Sequence, residues 1–254
     1  MPARARRARL PPVPRGTRRG APRGCEHDAV NTSAFSDPQA IADYEERTLR
    51  LVPGLRDMQR MSALLLAERA PSDARVLVVG AGGGIELRTF ARLFPAWRLE
   101  GVDPSAEMLE MARATLGPSA SKIRLHQGYV DALPAEPFDA ASCLLTLHFT
   151  TTDERLRTLC EIRRRLRPGA PFVAAHLSFA RPAEERQRWL ARYAAFATSS
   201  GVDADKARSA AAVIASQLEI LAPEQDEALM REAGFTNVEV FYVGFTFRGW
   251  VAQA

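Results

Sequence analysis

Hydrophobic positions change rhythm several times along this chain of 254 residues, and each change predicts an element. Val76 to Val79 are four aliphatic residues in an unbroken run, the pattern of a short strand buried on both faces. A glycine cluster at 80 to 84 follows, and then Leu87, Phe90, Ala91 and Phe94 at helical spacing. The alternation repeats. Residues 97–102 read as a second strand ending at Asp103, and Ala106, Leu109, Ala112 and Leu116 mark a helix stopped by Gly117-Pro118. Residues 123–126 predict an edge-like third strand, and 138–147 a strongly apolar, central fourth. A helix capped at Thr151-Thr152-Asp153 runs to Leu166, and 171–176 is a fifth strand. Strands alternating with helices predict a parallel sheet with right-handed crossovers.

Helices flank this core on both sides. Asp37-Pro38 predicts a helix start, an N-cap followed by proline, running to about Leu49 and broken by Val52-Pro53-Gly54. A second amphipathic helix carries Leu55, Met58, Met61, Leu65 and Leu66 and ends near Ala70-Pro71. Residues 182–233 predict helices in two or three pieces: one marked by Trp189, Leu190, Tyr193 and Phe196, one from Ala210 to Leu221, one from Pro223 to Ala233. Residues 238–243 and 245–247, around Gly244, read as an antiparallel pair at a sheet edge. The organisation expected is a tail over 1–33 and one domain over 34–254. That domain divides into N-terminal helices (34–71), a core (72–180), a helical insertion (181–233) and a C-terminal hairpin (234–254).

Composition changes this picture in one place. The formal charge is +4, yet Arg4, Arg6, Arg7, Arg9, Arg15, Arg18, Arg19 and Arg23 all lie in the tail. Without those eight of the 34 basic residues, the 30 acidic ones outnumber the rest. The high pI therefore says little about nucleic-acid binding by the folded part. A tail rich in arginine and proline buries too little to offset its ordering entropy and predicts disorder. Cys25, Cys143 and Cys160 are odd in number and far apart, which argues against a disulfide framework and for a reducing, cytoplasmic compartment. Cys143 and Cys160 both read as buried small hydrophobes. No apolar run approaches the ~18 residues of a membrane span.

The glycines carry the candidate chemistry. A dinucleotide fingerprint needs G-x-G-x-x-G, but Ile85 stands at the third glycine position, and the glycines fall instead at 80, 82 and 84. Asp103 ends the second strand, where an acid accepts hydrogen bonds from ribose hydroxyls; a helix N-cap ahead of Pro104 is its structural alternative.

These residues resemble the class I S-adenosylmethionine-dependent methyltransferases. Gly128 beyond the third strand, Phe138-Asp139-Ala140, Leu166-Arg167-Pro168-Gly169-Ala170 and Ala233-Gly234-Phe235 match that family's order. Val52-Pro53-Gly54, Met61 to Glu68, Thr146-Leu147-His148-Phe149 and Phe245-Thr246-Phe247 are more closely similar to its carboxy-S-adenosylmethionine synthase group. The resemblance implies an α/β, Rossmann-like class I methyltransferase fold. Its sheet is mostly parallel and seven-stranded, with helices on both faces and an antiparallel C-terminal hairpin. It implies S-adenosyl-L-methionine as cofactor, held by Gly80, Ala81, Gly82, Gly84, Asp103, Pro104, Met108, Tyr129, Val130 and Leu144. Two positions depart from the pattern: Val78, where an acid is frequent, and Tyr129, where an acid often follows Gly128, with Asp131 two residues on. Arg208 is the candidate for an extra cofactor carboxylate.

The reaction implied is methyl transfer to a small-molecule or tRNA acceptor, with room for a homodimer and no membrane partner or metal. A carboxy-S-adenosylmethionine synthase and a non-catalytic cofactor-binding regulator are the alternatives. His148 and His176 lie near the ends of central strands and are the candidate general bases, each with core packing as its other reading. Tyr44, Tyr193 and Trp189 are candidates for a substrate wall.

Overall fold

A computed structural model describes residues 44–134, 136–179 and 182–254. The predicted tail and the expected helix start at Asp37 lie outside the described residues. Helix α1 spans Tyr44–Leu51 and α2 Leu55–Ala67, separated at Gly54, whose φ of 62° is left-handed. Then come β1 (Arg75–Val79), α3 (Ile85–Leu93), β2 (Arg98–Asp103), α4 (Ala106–Leu116), β3 (Arg124–Gln127) and β4 (Ala140–Leu144). The chain continues through α5 (Thr152–Arg164), β5 (Pro171–Leu177), α6 (Ala183–Ser199), α7 (Ala204–Gln217), α8 (Pro223–Glu232), β6 (Thr236–Gly244) and β7 (Phe247–Gln253).

The strands form one seven-stranded sheet in the order β3-β2-β1-β4-β5-β7-β6. The first five are parallel, β7 runs antiparallel to β5, and β6 pairs antiparallel with β7. The order reverses between β1 and β4, so the carboxyl ends of these strands open a crevice there. Alternate β1 residues feed opposite cores: Val76 and Val78 pack with α2 and α3, Leu77 and Val79 with α5 and α8. A continuous aliphatic run is what two buried faces require.

Several expectations shift. The fourth strand is shorter than 138–147: Phe138 makes only an isolated bridge to Leu166, and Leu145 takes a positive φ of 57°, which turns the chain out of the sheet. Helix α7 begins at Ala204, six residues before Ala210, because Asp203 caps it by accepting from the Asp205 and Lys206 amides. Cys160 is exposed, and only Cys143 is a buried thiol. The second strand of the terminal pair runs on to Gln253 and lies inside the sheet, leaving β6 at the edge.

Candidate functional site

The turn after β1 is built by glycines that do different work. The Gly80 and Ala81 amides both donate to the Val102 carbonyl at 2.9 and 3.0 Å, which folds the turn over the end of β2. A Cβ on Gly80 would stand 2.0 Å from Thr146 Oγ1. A Cβ on Gly84 would stand 2.8 Å from the Ala112 Cα, so this glycine lets α3 approach α4 and does not line the crevice. At Gly82, with φ of 49°, a Cβ would meet Tyr44 Oη, Met108 Cε and the Gly80 carbonyl at 3.4, 3.5 and 3.8 Å, all ordinary contact distances. Gly82 borders the open crevice at the end of the sheet.

Asp103 resolves its two readings through hydrogen bonds. Ser105, not Asp103, caps α4, its hydroxyl accepting from the Met108 amide at 3.1 Å. Asp103 Oδ1 accepts from the Ser105 amide at 3.0 Å and Oδ2 from the Gly82 amide at 2.9 Å. Burial pushes its carboxyl above the usual range against these two bonds. The acid therefore fixes the glycine turn, and each oxygen keeps capacity to accept from a ligand hydroxyl.

Three cavities meet at this point. The first, of about 160 Å³, is bordered by Gly80, Gly82, Asp103, Pro104, Met108, Tyr129, Val130 and Leu144, eight of the ten residues expected to hold a cofactor. Ser105, Gly128, Thr146 and Phe149 also line it. The second, about 670 Å³, lies under α1, α6 and α7 and is mostly apolar, with Leu51, Leu177, Val213, Ile214 and Phe247 among its walls. Arg47 is the one charged side chain among the described residues that line it. Tyr44, Leu145 and Phe149 border both. The third, about 30 Å³, sits behind the turn between Gly80, Ala81, Gly83, Tyr44, Gln59 and Glu86.

The two histidines part company. His148 lines the larger cavity, and its Nδ1 accepts from the Leu177 amide at 3.4 Å, which leaves the ring proton on Nε2. Burial, and then the nearby His176 and Arg155, hold its pKa well below the ordinary value. It faces the cavity as a neutral donor, an unfavourable state for a base. His176 lines none of the three cavities. It is fully buried, with Nε2 3.1 Å from Asp226 Oδ1 and its ring 5.3 Å from that of Trp250. Arg155 Nη1 reaches the same carboxylate at 2.6 Å. Burial would raise the Asp226 pKa, but His176 and Arg155 outweigh it and hold the carboxyl below its ordinary range. His176 thus belongs to a buried ionic cluster joining α5, β5 and α8. Asp131 is exposed and lines none of these three cavities, and Arg208 pairs with Asp205 on the surface of α7. Tyr193 borders the larger cavity; Trp189 instead stacks under Arg192 and Arg248. Arg47 and Glu86 were invisible as site residues in the sequence, since nothing local separates them from other surface and helical charges.

A parallel sheet reversing at a glycine turn, with a strand-end acid behind it, defines an α/β protein of the class that binds nucleotide-like ligands at the reversal. Residues 76–169 match the family described as "Methyltransferase domain". The chain is 24% identical over 227 residues to the carboxy-S-adenosyl-L-methionine synthase of Pseudomonas fluorescens (strain Pf0-1), covering 86% of this chain and 92% of that protein. It is 38% identical over 79 residues to trans-aconitate 2-methyltransferase of Streptomyces avermitilis, 30% of this chain and 29% of the other. Among solved structures, PigF with SAH superposes with a TM-score of 0.61 at 17% identity, covering 90% of this chain and 63% of PigF. Human N-acetylserotonin methyltransferase in complex with SAM gives 0.52 at 16% identity, covering 87% and 61%. Residues 76–169 are thus a methyltransferase domain, the fold is that of the class I S-adenosylmethionine-dependent methyltransferases, and the cofactor is S-adenosyl-L-methionine. Among the described residues no helix is long and apolar enough to cross a membrane.

Proposed function

We propose that this protein transfers a methyl group from S-adenosyl-L-methionine to a small, largely apolar acceptor seated in the larger cavity. The observation that carries the reading is the shared wall: Tyr44, Leu145 and Phe149 border both the adenosyl cavity and the cavity under the helices. A sulfonium methyl group is already activated for displacement, because the leaving group is a neutral thioether. The chain's own residues then bind and align. Asp103 holds the ribose hydroxyls, Met108 and Val130 flank the base, and the leucines at 144 and 145 exclude water near the reacting centre. Alignment of this kind contributes ~7–11 kcal/mol to a bimolecular step. His148 Nε2–H orients the acceptor by donating to it. Arg47 favours acceptors that carry an anionic group.

The test is calorimetric binding of S-adenosyl-L-methionine, followed by mass-spectrometric detection of methyl transfer to a panel of aromatic and aliphatic acids and their neutral analogues. Saturable binding with turnover of the acids is expected; absence of cofactor binding would sink the reading.

A second reading, a carboxy-S-adenosylmethionine synthase, is favoured by the likeness to such an enzyme along nearly its whole length. In that case Arg47, not Arg208, is the cation available to the extra carboxylate. The mass of the ligand that co-purifies with the protein separates the two.

A further inference from the structure

Glu86 lies in the first turn of α3, directly after the glycine turn, and its side chain runs back beneath that turn to the sheet. It is 6% exposed, and Oε1 accepts from Ser142 Oγ at 2.5 Å. Among the described residues no lysine, arginine or histidine forms an ion pair with it. The groups facing it are Tyr44 from α1, Gln59 from α2, and Ser142 and Cys143 from β4; none is a cation. Gln59 Oε1 is itself engaged by the Thr89 hydroxyl at 3.1 Å. A carboxyl this enclosed would be replaced at no loss of packing by an apolar or amide side chain, so its presence asks for a ligand.

The third cavity supplies the place. Glu86 borders it together with Gly80, Ala81 and Gly83, and Asp103 does not. Its volume of about 30 Å³ exceeds the ~10–15 Å³ that one small polar group needs. An ammonium group fits that space. Tyr44, Gly80, Leu144 and Leu145 border both this space and the first cavity, so the two are neighbours.

We propose that Glu86 is the receptor for the ammonium group of the cofactor's methionine moiety, paired with it across the small cavity behind the glycine turn. The assignment rests on the cofactor reading of the site. It has a consequence for protons. Burial pushes the Glu86 carboxyl up to about 8, against the hydrogen bond from Ser142. At pH 7 the free protein therefore holds a proton on Glu86, and an arriving ammonium expels it to solvent. Above pH 8 the carboxyl is already ionised, and an arriving ammonium finds no proton to expel. The proton release therefore fades as pH rises through about 8.

The experiment compares S-adenosylhomocysteine with its deaminated analogue by calorimetry in buffers of different ionisation enthalpy, on wild type and Glu86→Gln. The wild type is expected to release close to one proton per S-adenosylhomocysteine at pH 7 and none with the deaminated analogue. Glu86→Gln should weaken S-adenosylhomocysteine at least tenfold, abolish the release and bind the deaminated analogue as the wild type does. That last measurement also reports that the variant is folded. Equal weakening of both ligands, or unchanged proton release, overturns the assignment alone. A wild type that binds neither ligand overturns the cofactor reading and the assignment with it.

Discussion

The walls of the cavity proposed for the adenosyl group come from strand ends and the turns that follow them, whereas those of the larger cavity come mainly from the faces of α1, α6 and α7. In the first, backbone amides and one carboxylate are fixed by short hydrogen bonds, as between Gly82 and Asp103 at 2.9 Å. In the second, side chains provide almost all of the surface, and helix α1 itself has no buried residue. Ligand recognition by backbone geometry tolerates little change. Recognition by apolar side chains is easily retuned, which is how one fold serves many acceptors.

Four substitutions probe this contrast. The largest effect belongs to Gly82→Arg, which fills the open side of the turn at a left-handed φ; no cofactor binding is expected by calorimetry. Asp103→Ala should weaken the cofactor about 10- to 100-fold, the worth of charged hydrogen bonds to the ribose, and loosen the turn. On the other side, Arg47→Met should leave cofactor affinity unchanged and raise KM for an anionic acceptor about tenfold, with no change for a neutral analogue. The smallest effect is expected of His148→Gln, which keeps a donor: turnover within about threefold of wild type. A loss of ~10²–10⁴ would instead restore His148 to the role of general base. Were Arg47→Met to weaken the cofactor as much as Asp103→Ala does, the division between the two cavities would fail.

The same contrast explains what could be read from the residues in order. Gly80, Gly82 and Asp103 lie within one strand–turn–helix–strand unit, and their spacing alone set them at one crevice. Gly84 belongs to the same motif but serves packing against Ala112, a distinction that only the approach of α4 reveals. Glu86 was hidden because its partner Ser142 is 56 residues away, on a strand that becomes a neighbour only through the order reversal. Arg47 and Val213 share a cavity only after α1 and α7 are brought over the sheet. His148 and His176 looked alike as histidines near strand ends. One faces a cavity and the other an ionic cluster, since His176 remains in β5 while the chain leaves β4 at Leu145.

Glu86 also sets how conformational stability responds to pH. Its carboxyl titrates at about 8 in the folded chain, against 4.5 as its ordinary value. Between these limits the unfolded chain has released a proton that the folded chain keeps, so stability declines as pH rises through that window and levels off above it. The full decline is roughly 4–5 kcal/mol, a large part of what holds a domain of this kind together. This one group thus makes the ligand-free protein less stable under mildly alkaline than under neutral conditions. On the pairing proposed above, an ammonium beside Glu86 would offset that loss, and the cofactor would then steady the fold as well as supply the methyl group.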